Sequence, residues 1–162
     1  MTTPLIMLAI LALPLLFAVL LRTAGGPALD TRNMGAIGLA IVFVFTGIGH
    51  FTQVETMAQM LPAWVPGRVL LVHATGMLEF AIAAGLLFPA SRRLAGYVAA
   101  AVLVLFFPAN VYAAINHVPM GGHAWGPAYL LIRAPLQGIL LFWAYWFVIR
   151  MPARVRPAIH SY

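Results

Sequence analysis

Residues 68–88 read RVLLVHATGMLEFAIAAGLLF, an apolar run long enough to form a membrane-spanning helix. Glu79 lies near the middle of this run, about 16 Å along the axis from Arg68 at about 1.5 Å per residue. Ionisable residues at such depth cost roughly 3 kcal/mol on insertion scales, so they tend to face a partner or a watered cavity and to mark function. The stretch therefore predicts a transmembrane helix in which Glu79 and His73 are the candidate catalytic, proton-handling groups.

The composition of the whole chain places this helix in a membrane protein. Of 162 residues, 64% are hydrophobic and only 7% are charged, whereas soluble domains have roughly 25% charged residues. There is no cysteine, which excludes disulfides, an in-chain thiol relay and a thiolate-bound metal. The basic residues, which give a formal net charge of +6, are all arginine. Their placement near helix ends indicates membrane orientation, and nucleic acid is not an expected partner.

Five apolar segments predict an all-α, polytopic membrane protein that forms a single membrane domain over residues 1–162. The segments are 4–22, 34–51, 68–88, 93–116 and 128–149. The first is expected to lie at the periphery of the bundle. It is interpreted as a helix rather than a cleaved signal peptide, because Met1–Pro4 carries no basic side chain and Arg22 follows the apolar run.

The arginines predict the orientation of these helices. With five spans, all loop arginines but one fall on the same side of the membrane, and the exception is Arg68. The others are Arg22, Arg32, Arg92, Arg93, Arg150, Arg154 and Arg156. Because basic loops remain in the cytoplasm, the N-terminus is expected outside the inner (cell) membrane, with residues 150–162 as a basic cytoplasmic tail near anionic lipid.

Two connections on the outer side carry local signals. In residues 52–61, an apolar stripe predicts a short interfacial helix, and Thr52 with Glu55 fits a capping box at its start. The connector of residues 117–128 contains two prolines and several glycines, so it is predicted to be a loop folded over the mouth of the bundle. His123 in this loop is expected to be open to solvent.

Polar side chains gather in the outer half of the predicted bundle, with Glu79 deepest. The others are His50, His73, Asn110, Asn116, His117, Arg133 and Gln137. Lipid-facing positions would not collect such groups, so the pattern predicts a cavity open to the outside or the outer leaflet. Arg133 is the natural partner for Glu79, directly or through Gln137 or water. An ion pair that only fixes helix register is the equal alternative.

Other structural interpretations apply to single members of this set. Asn110 alternatively satisfies the carbonyl of Val104, which Pro108 leaves without its helical donor. The outer-side histidines lack HxxxH or HxH spacing, so no metal site is predicted.

Five short motifs carry a resemblance to a known family. They are FTGIGHF, LPAWVP, GMLEF, FFPANVYAA and RAPLQ. In this order the segments from about 34 to 147 resemble the DoxX family of small membrane proteins. The resemblance implies a four-helix bundle over residues 34–149, to which segment 4–22 adds an extra N-terminal helix. Members of that family are associated with a thiosulfate:quinone oxidoreductase subunit, with maturation of a secreted dehydrogenase and with receptor assembly, so the fold alone does not define the activity.

The leading functional hypothesis is a redox-associated subunit that binds a quinone-like or other amphipathic molecule in the outer-half cavity. Arg133, Asn110 or Gln137 would donate to a ring carbonyl, while Glu79 or His73 handles protons. The remaining predicted ligand-binding residues are His50, Asn116 and His117. The alternative is a noncatalytic assembly factor for a protein partner, or a homo-oligomer, whose polar cluster joins helices. A transporter is third, because the five spans show no inverted repeat. Whether the chain is itself an enzyme stays open.

Overall fold

The computed structural model of the protein describes residues 2–150, and within this range every regular element is helical. The elements are α1 (Thr2–Thr23), α2 (Thr31–Thr52), α3 (Val54–Gln59), α4 (Arg68–Leu87), α5 (Arg92–Ile115), a 3-10 helix (His123–Tyr129), α6 (Leu130–Trp143) and a π-helical turn (Ala144–Ile149). Five helical stretches are long and apolar enough to cross a membrane, as predicted, and their exposed apolar faces suit contact with lipid. Residues 151–162 of the predicted tail, 150–162, lie outside the described range.

Helix α2 occupies the centre of the bundle because its glycines let neighbouring helices approach closely. A Cβ at Gly38 would clash with the backbone carbonyl oxygen of Leu11 in α1, and a Cβ at Gly47 would lie 2.8 Å from the ring of Phe80 in α4. Leu11 is only 1% exposed and belongs to the main hydrophobic core. One face of α1 therefore packs along α2 and contributes Leu11 to the core, while many of its other residues are exposed, as expected for a helix at the periphery of the bundle.

The arginines at one end of the bundle tie the helices together there, and we call this the basic end. Arg32 Nη1 donates to the carbonyl oxygen of Arg150 at 2.7 Å, which joins α2 to the end of the π-helical turn. Arg92 Nη2 donates to Asn33 Oδ1 at 2.8 Å, which joins α5 to α2. The opposite end, where α1 begins and α3 lies, is called the mouth end.

The predicted capping box at the start of α3 does not form. Thr52 Oγ1 donates to the carbonyl oxygen of Ile48 at 3.1 Å, and Gln53 precedes α3 without a side-chain cap bond. The reason is that α2 continues through Thr52, so its hydroxyl bonds the preceding turn of its own helix. Glu55 is exposed in the first turn of α3.

The glycine-rich connector after α5 folds over the mouth end, as predicted, and its 3-10 segment His123–Tyr129 is kinked at Gly126, whose backbone is not helical. Gly122 and Gly126 have φ values of 122° and 72°, which L side chains rarely adopt. A Cβ at Gly126 would also lie 2.6 Å from His117 Nε2. These glycines let the connector turn inward, so that His123 and Tyr129 are buried beneath it.

Candidate functional site

One stripe of α4 places Glu79 against α2. Val72, Gly76 and Glu79 are spaced i, i+4 and i+7, so they share a helix face, and all three are buried. A Cβ at Gly76 would lie 2.6 Å from the Cβ of His50. Because Gly76 has no side chain, His50 of α2 can pack next to Glu79, which is only 4% exposed.

His50 joins this stripe through both ring nitrogens. Its Nδ1 lies 2.9 Å from the carbonyl oxygen of Val72 and 3.1 Å from Thr75 Oγ1, and its Nε2 lies 3.6 Å from Glu79 Oε1. Because a carbonyl oxygen can only accept, we assign a proton to Nδ1. Nε2 is therefore the nitrogen that faces Glu79 Oε1, and we call these two side chains the His50–Glu79 dyad.

The partner of Glu79 differs from the one expected. Within residues 2–150, the His50–Glu79 contact is the only one in ion-pair range, so Glu79 and Arg133 do not pair directly. Arg133 Nε donates instead to Asn110 Oδ1 at 2.9 Å. The reason is the close contact of α2 with α4 at Gly76, which brings an imidazole nearer to the carboxylate than the guanidinium.

Asn110 organises a second hydrogen-bonded group. Its Nδ2 donates to the carbonyl oxygen of Phe106 at 2.8 Å, and its Oδ1 accepts from Arg133 and lies 3.2 Å from His123 Nε2. The Asn110 amide bonds Phe106 and not Val104, so it does not compensate for Pro108. His123 is 5% exposed, and its Nδ1 lies 2.7 Å from the carbonyl oxygen of Met120. The expectation that His123 is open to solvent was wrong, because the 3-10 helix buries it.

Gln137 of α6 is buried and donates through Nε2 to the carbonyl oxygen of Leu103 in α5. This contact joins α6 to α5 one turn before Pro108. The amide nitrogen of Gln137 is therefore already engaged in a helix–helix hydrogen bond.

The polar groups around Glu79 and Asn110 line a cavity of about 510 Å³ at the mouth end, whereas Gln137 lines only the smaller recess beside it. That volume lies within the roughly 300–1,000 Å³ of small-molecule sites. Its walls are mostly apolar and include four methionines, a flexible residue type that adapts to irregular ligands. They are Met7, Met57, Met60 and Met120. The polar groups that face the cavity include His50, Glu79, Asn110, His123 and Arg133.

A smaller recess of about 40 Å³ adjoins this cavity. Met7, Thr46, Glu79, Phe106 and Arg133 line both spaces, so they surround the junction between them. Glu79 Oε2 and Arg133 Nη1 are buried, and neither has a hydrogen-bond partner within residues 2–150. Both residues that carry these unmatched atoms therefore line the recess.

Three predicted site residues lie apart from the cavity lining. His73 Nδ1 bonds the carbonyl oxygen of Val69 in its own helix at 3.0 Å, and its ring packs on Phe51. Asn116 and His117 are exposed after the end of α5, where Asn116 Nδ2 donates to the carbonyl oxygen of Tyr112. The structure therefore brings together Glu79, Arg133, Asn110, Gln137 and His50 of the predicted set.

Sequence reasoning missed His123, Tyr129, Thr75 and Thr46 as lining residues. Helical spacing was a usable signal for Thr75, which is four residues before Glu79 and so shares its face. The same spacing was a signal for Tyr129, which is four residues before Arg133, whereas His123 had only the glycine-rich pattern of the connector. Within residues 2–150, no three His, Asp or Glu side chains lie close enough together to hold a metal ion.

The fold and the site define a helical protein with five candidate membrane spans and an apolar cavity above a charged recess. The chain belongs to the family described as a domain of unknown function, DUF8561, which matches residues 39–148. The match begins within α2 and ends within the π-helical turn, so the cavity residues of α1 precede it. No curated protein and no solved structure matches the chain.

Proposed function

We propose that this chain is a DoxX-like, redox-associated membrane subunit that binds a quinone-like amphipathic molecule in the mouth-end cavity. The observation that carries the proposal is an apolar cavity of about 510 Å³ whose lining includes a buried carboxylate and a buried guanidinium. An apolar wall with a few convergent polar groups is the usual construction of a small-molecule site. The redox association is proposed from the resemblance to the DoxX family, whose associations include a thiosulfate:quinone oxidoreductase subunit.

The contacts suggest a role for each polar residue. A ring carbonyl of the ligand accepts a hydrogen bond from Arg133, and Asn110 positions Arg133 by accepting from its Nε at 2.9 Å. His50 and Glu79 are the proposed proton-handling groups, because one imidazole nitrogen faces the carboxylate across 3.6 Å. In this arrangement His50 takes the role expected of His73, while Gln137 joins α6 to α5.

The mouth end is proposed to face the outside of the inner (cell) membrane. This orientation places the N-terminus outside and the C-terminus in the cytoplasm. Its support is the gathering at the basic end of Arg22, Arg32, Arg92, Arg93 and Arg150, against Arg68 at the mouth end. A ligand then enters from the outer surface or the outer leaflet.

The test is titration of the purified protein with decylubiquinone in detergent, comparing wild type with a variant whose cavity is filled. Ala109 lines the cavity, so Ala109→Trp should abolish saturable binding by occupying the space. Ala101→Trp is the matched control, because Ala101 lies on the same helix, is exposed and does not line the cavity. Thermal melting of each variant confirms that it is folded.

Failure of wild type to bind, or equal binding by Ala109→Trp, would remove the quinone-cavity proposal. The assembly-factor hypothesis would then replace it, with the polar groups acting only between helices. That hypothesis has its own support, since the bonds from Arg133 to Asn110 and from Gln137 to Leu103 both connect α6 to α5.

A further inference from the structure

We propose that the recess next to the cavity is a subsite for a single hydroxyl group, and that the preferred ligand is an alcohol or phenol with an apolar body. This inference rests on the proposed function, because the apolar body occupies the mouth-end cavity. The hydroxyl donates its hydrogen to Glu79 Oε2 and accepts a hydrogen bond from Arg133 Nη1. Both atoms are buried and unmatched within residues 2–150.

Glu79 presents Oε2 to the ligand as an acceptor when it is a carboxylate. His50 Nδ1 holds a proton that faces the carbonyl oxygen of Val72, so Nε2 faces Glu79 Oε1. As a carboxylate, Glu79 carries no hydrogen on either oxygen. Oε2 therefore keeps only lone pairs, and a ligand must supply the hydrogen.

Arg133 presents the opposite requirement. A guanidinium nitrogen can only donate, and Arg133 Nε is already engaged with Asn110 Oδ1. Nη1 therefore needs an acceptor on the ligand. A hydroxyl is the smallest group that donates and accepts at one atom, whereas a carbonyl or an ether oxygen satisfies Nη1 and leaves Oε2 without a donor.

The size of the recess sets which part of the ligand enters it. A water molecule needs a cavity volume of roughly 10–15 Å³. The recess of about 40 Å³ is therefore large enough for a hydroxyl but too small for an aromatic ring. The ring or chain stays in the adjoining cavity of about 510 Å³. Met7 of α1 and Phe106 of α5 line the junction and provide apolar contact at the neck of the ligand.

The experiment compares two probes that differ only at the oxygen, 4-nonylphenol and its methyl ether 4-nonylanisole. Wild type should bind the phenol at least about tenfold more tightly, because the ether leaves a buried acceptor without its donor. Ala109→Trp should lose both probes, which shows that binding occurs in the cavity. Equal affinity of wild type for the two probes would overturn the hydroxyl subsite.

Two substitutions at the same position test the role of Glu79. Glu79→Gln should keep the preference for the phenol, since the amide nitrogen can donate to His50 Nε2 and leave the amide oxygen in the recess. Glu79→Met removes the acceptor at similar length, so the phenol and the ether should bind alike. Retention of the phenol preference by a folded Glu79→Met protein would contradict the assignment.

The outcomes separate this inference from the proposed function. If decylubiquinone and both nonyl probes bind wild type with equal affinity, the cavity binds amphipathic molecules but the recess does not select a hydroxyl. If none of the three binds, the cavity proposal itself fails. If the Glu79 variants do not fold, the comparison of phenol with ether on wild type still decides the question.

Discussion

Arg133→Gln is expected to weaken decylubiquinone binding by roughly tenfold to a hundredfold, the range for loss of a hydrogen bond to a charged group. The guanidinium is held by Asn110 Oδ1 at 2.9 Å and keeps Nη1 free of protein partners within residues 2–150. A glutamine is shorter and uncharged, so it cannot replace that donor. Asn110→Ala should have a smaller effect, because it removes the positioning contact and leaves the charge in place.

Arg68→Gln is the matched control for this change. Arg68 lies at the mouth end, where its Nη1 is 3.4 Å from the carbonyl oxygen of Leu61, and it does not line the cavity. The control should bind like wild type, which separates a local effect from a general loss of charge. If folded Arg133→Gln binds as tightly as wild type, Arg133 has no part in ligand recognition.

Removing either member of the His50–Glu79 dyad is expected to destabilise the protein by about 3–5 kcal/mol, the usual cost of stranding one group of a buried pair. The nearest atoms of the two side chains are 3.6 Å apart. The double variant should lose much less unfolding free energy than the sum of the losses caused by His50→Phe and Glu79→Leu alone. The free energy of unfolding of the detergent-solubilised single and double variants measures this coupling.

Two further double-mutant cycles with Glu79→Leu compare how strongly other residues are coupled to Glu79. His73→Phe should be additive with it, because His73 bonds Val69 in its own helix and does not face Glu79. Arg133→Gln should show an intermediate coupling, since Arg133 shares the recess with Glu79 without an ion pair. Strict additivity of the His50 cycle would mean that the dyad does not exist in solution.

The membrane helices were predictable because apolar length is a property of the local sequence. The expected segments 34–51, 68–88 and 93–116 correspond to Thr31–Thr52, Arg68–Leu87 and Arg92–Ile115. The burial of Glu79, Asn110 and Gln137 also follows from their isolation in apolar runs. The close contact of α1 with α2 was not predictable in this way, because it depends on the approach of the Leu11 backbone to Gly38.

The partner of Glu79 depends on tertiary contacts, although helical geometry already argued against His73. Six residues separate His73 from Glu79, which turns them about 120° apart around a helix of about 3.6 residues per turn. The choice of His50 over Arg133 needed the rotation and spacing of two helices, which Gly76 sets by close contact. The positions of charged residues in the sequence give neither the rotation nor the spacing of these helices.

The burial of His123 was missed for a different reason. Glycine and proline in residues 117–128 identify a break in the helices, but they do not say on which side of the connector a side chain lies. The positive φ values at Gly122 and Gly126 turn the chain so that His123 packs edge-on against Tyr129, with ring centres 4.7 Å apart. That contact needs the completed bundle beneath it.

Mass spectrometry of the small molecules extracted from purified protein tests most directly whether the mouth-end cavity is a ligand site. Wild type and Ala101→Trp should release the same amphipathic compound in a near-stoichiometric molar ratio to protein. Ala109→Trp should release little of it. The relevant comparison is between variants, because annular lipid is common to all three. If Ala109→Trp releases the same compounds in the same amounts as wild type, the cavity holds no ligand and the account is contradicted.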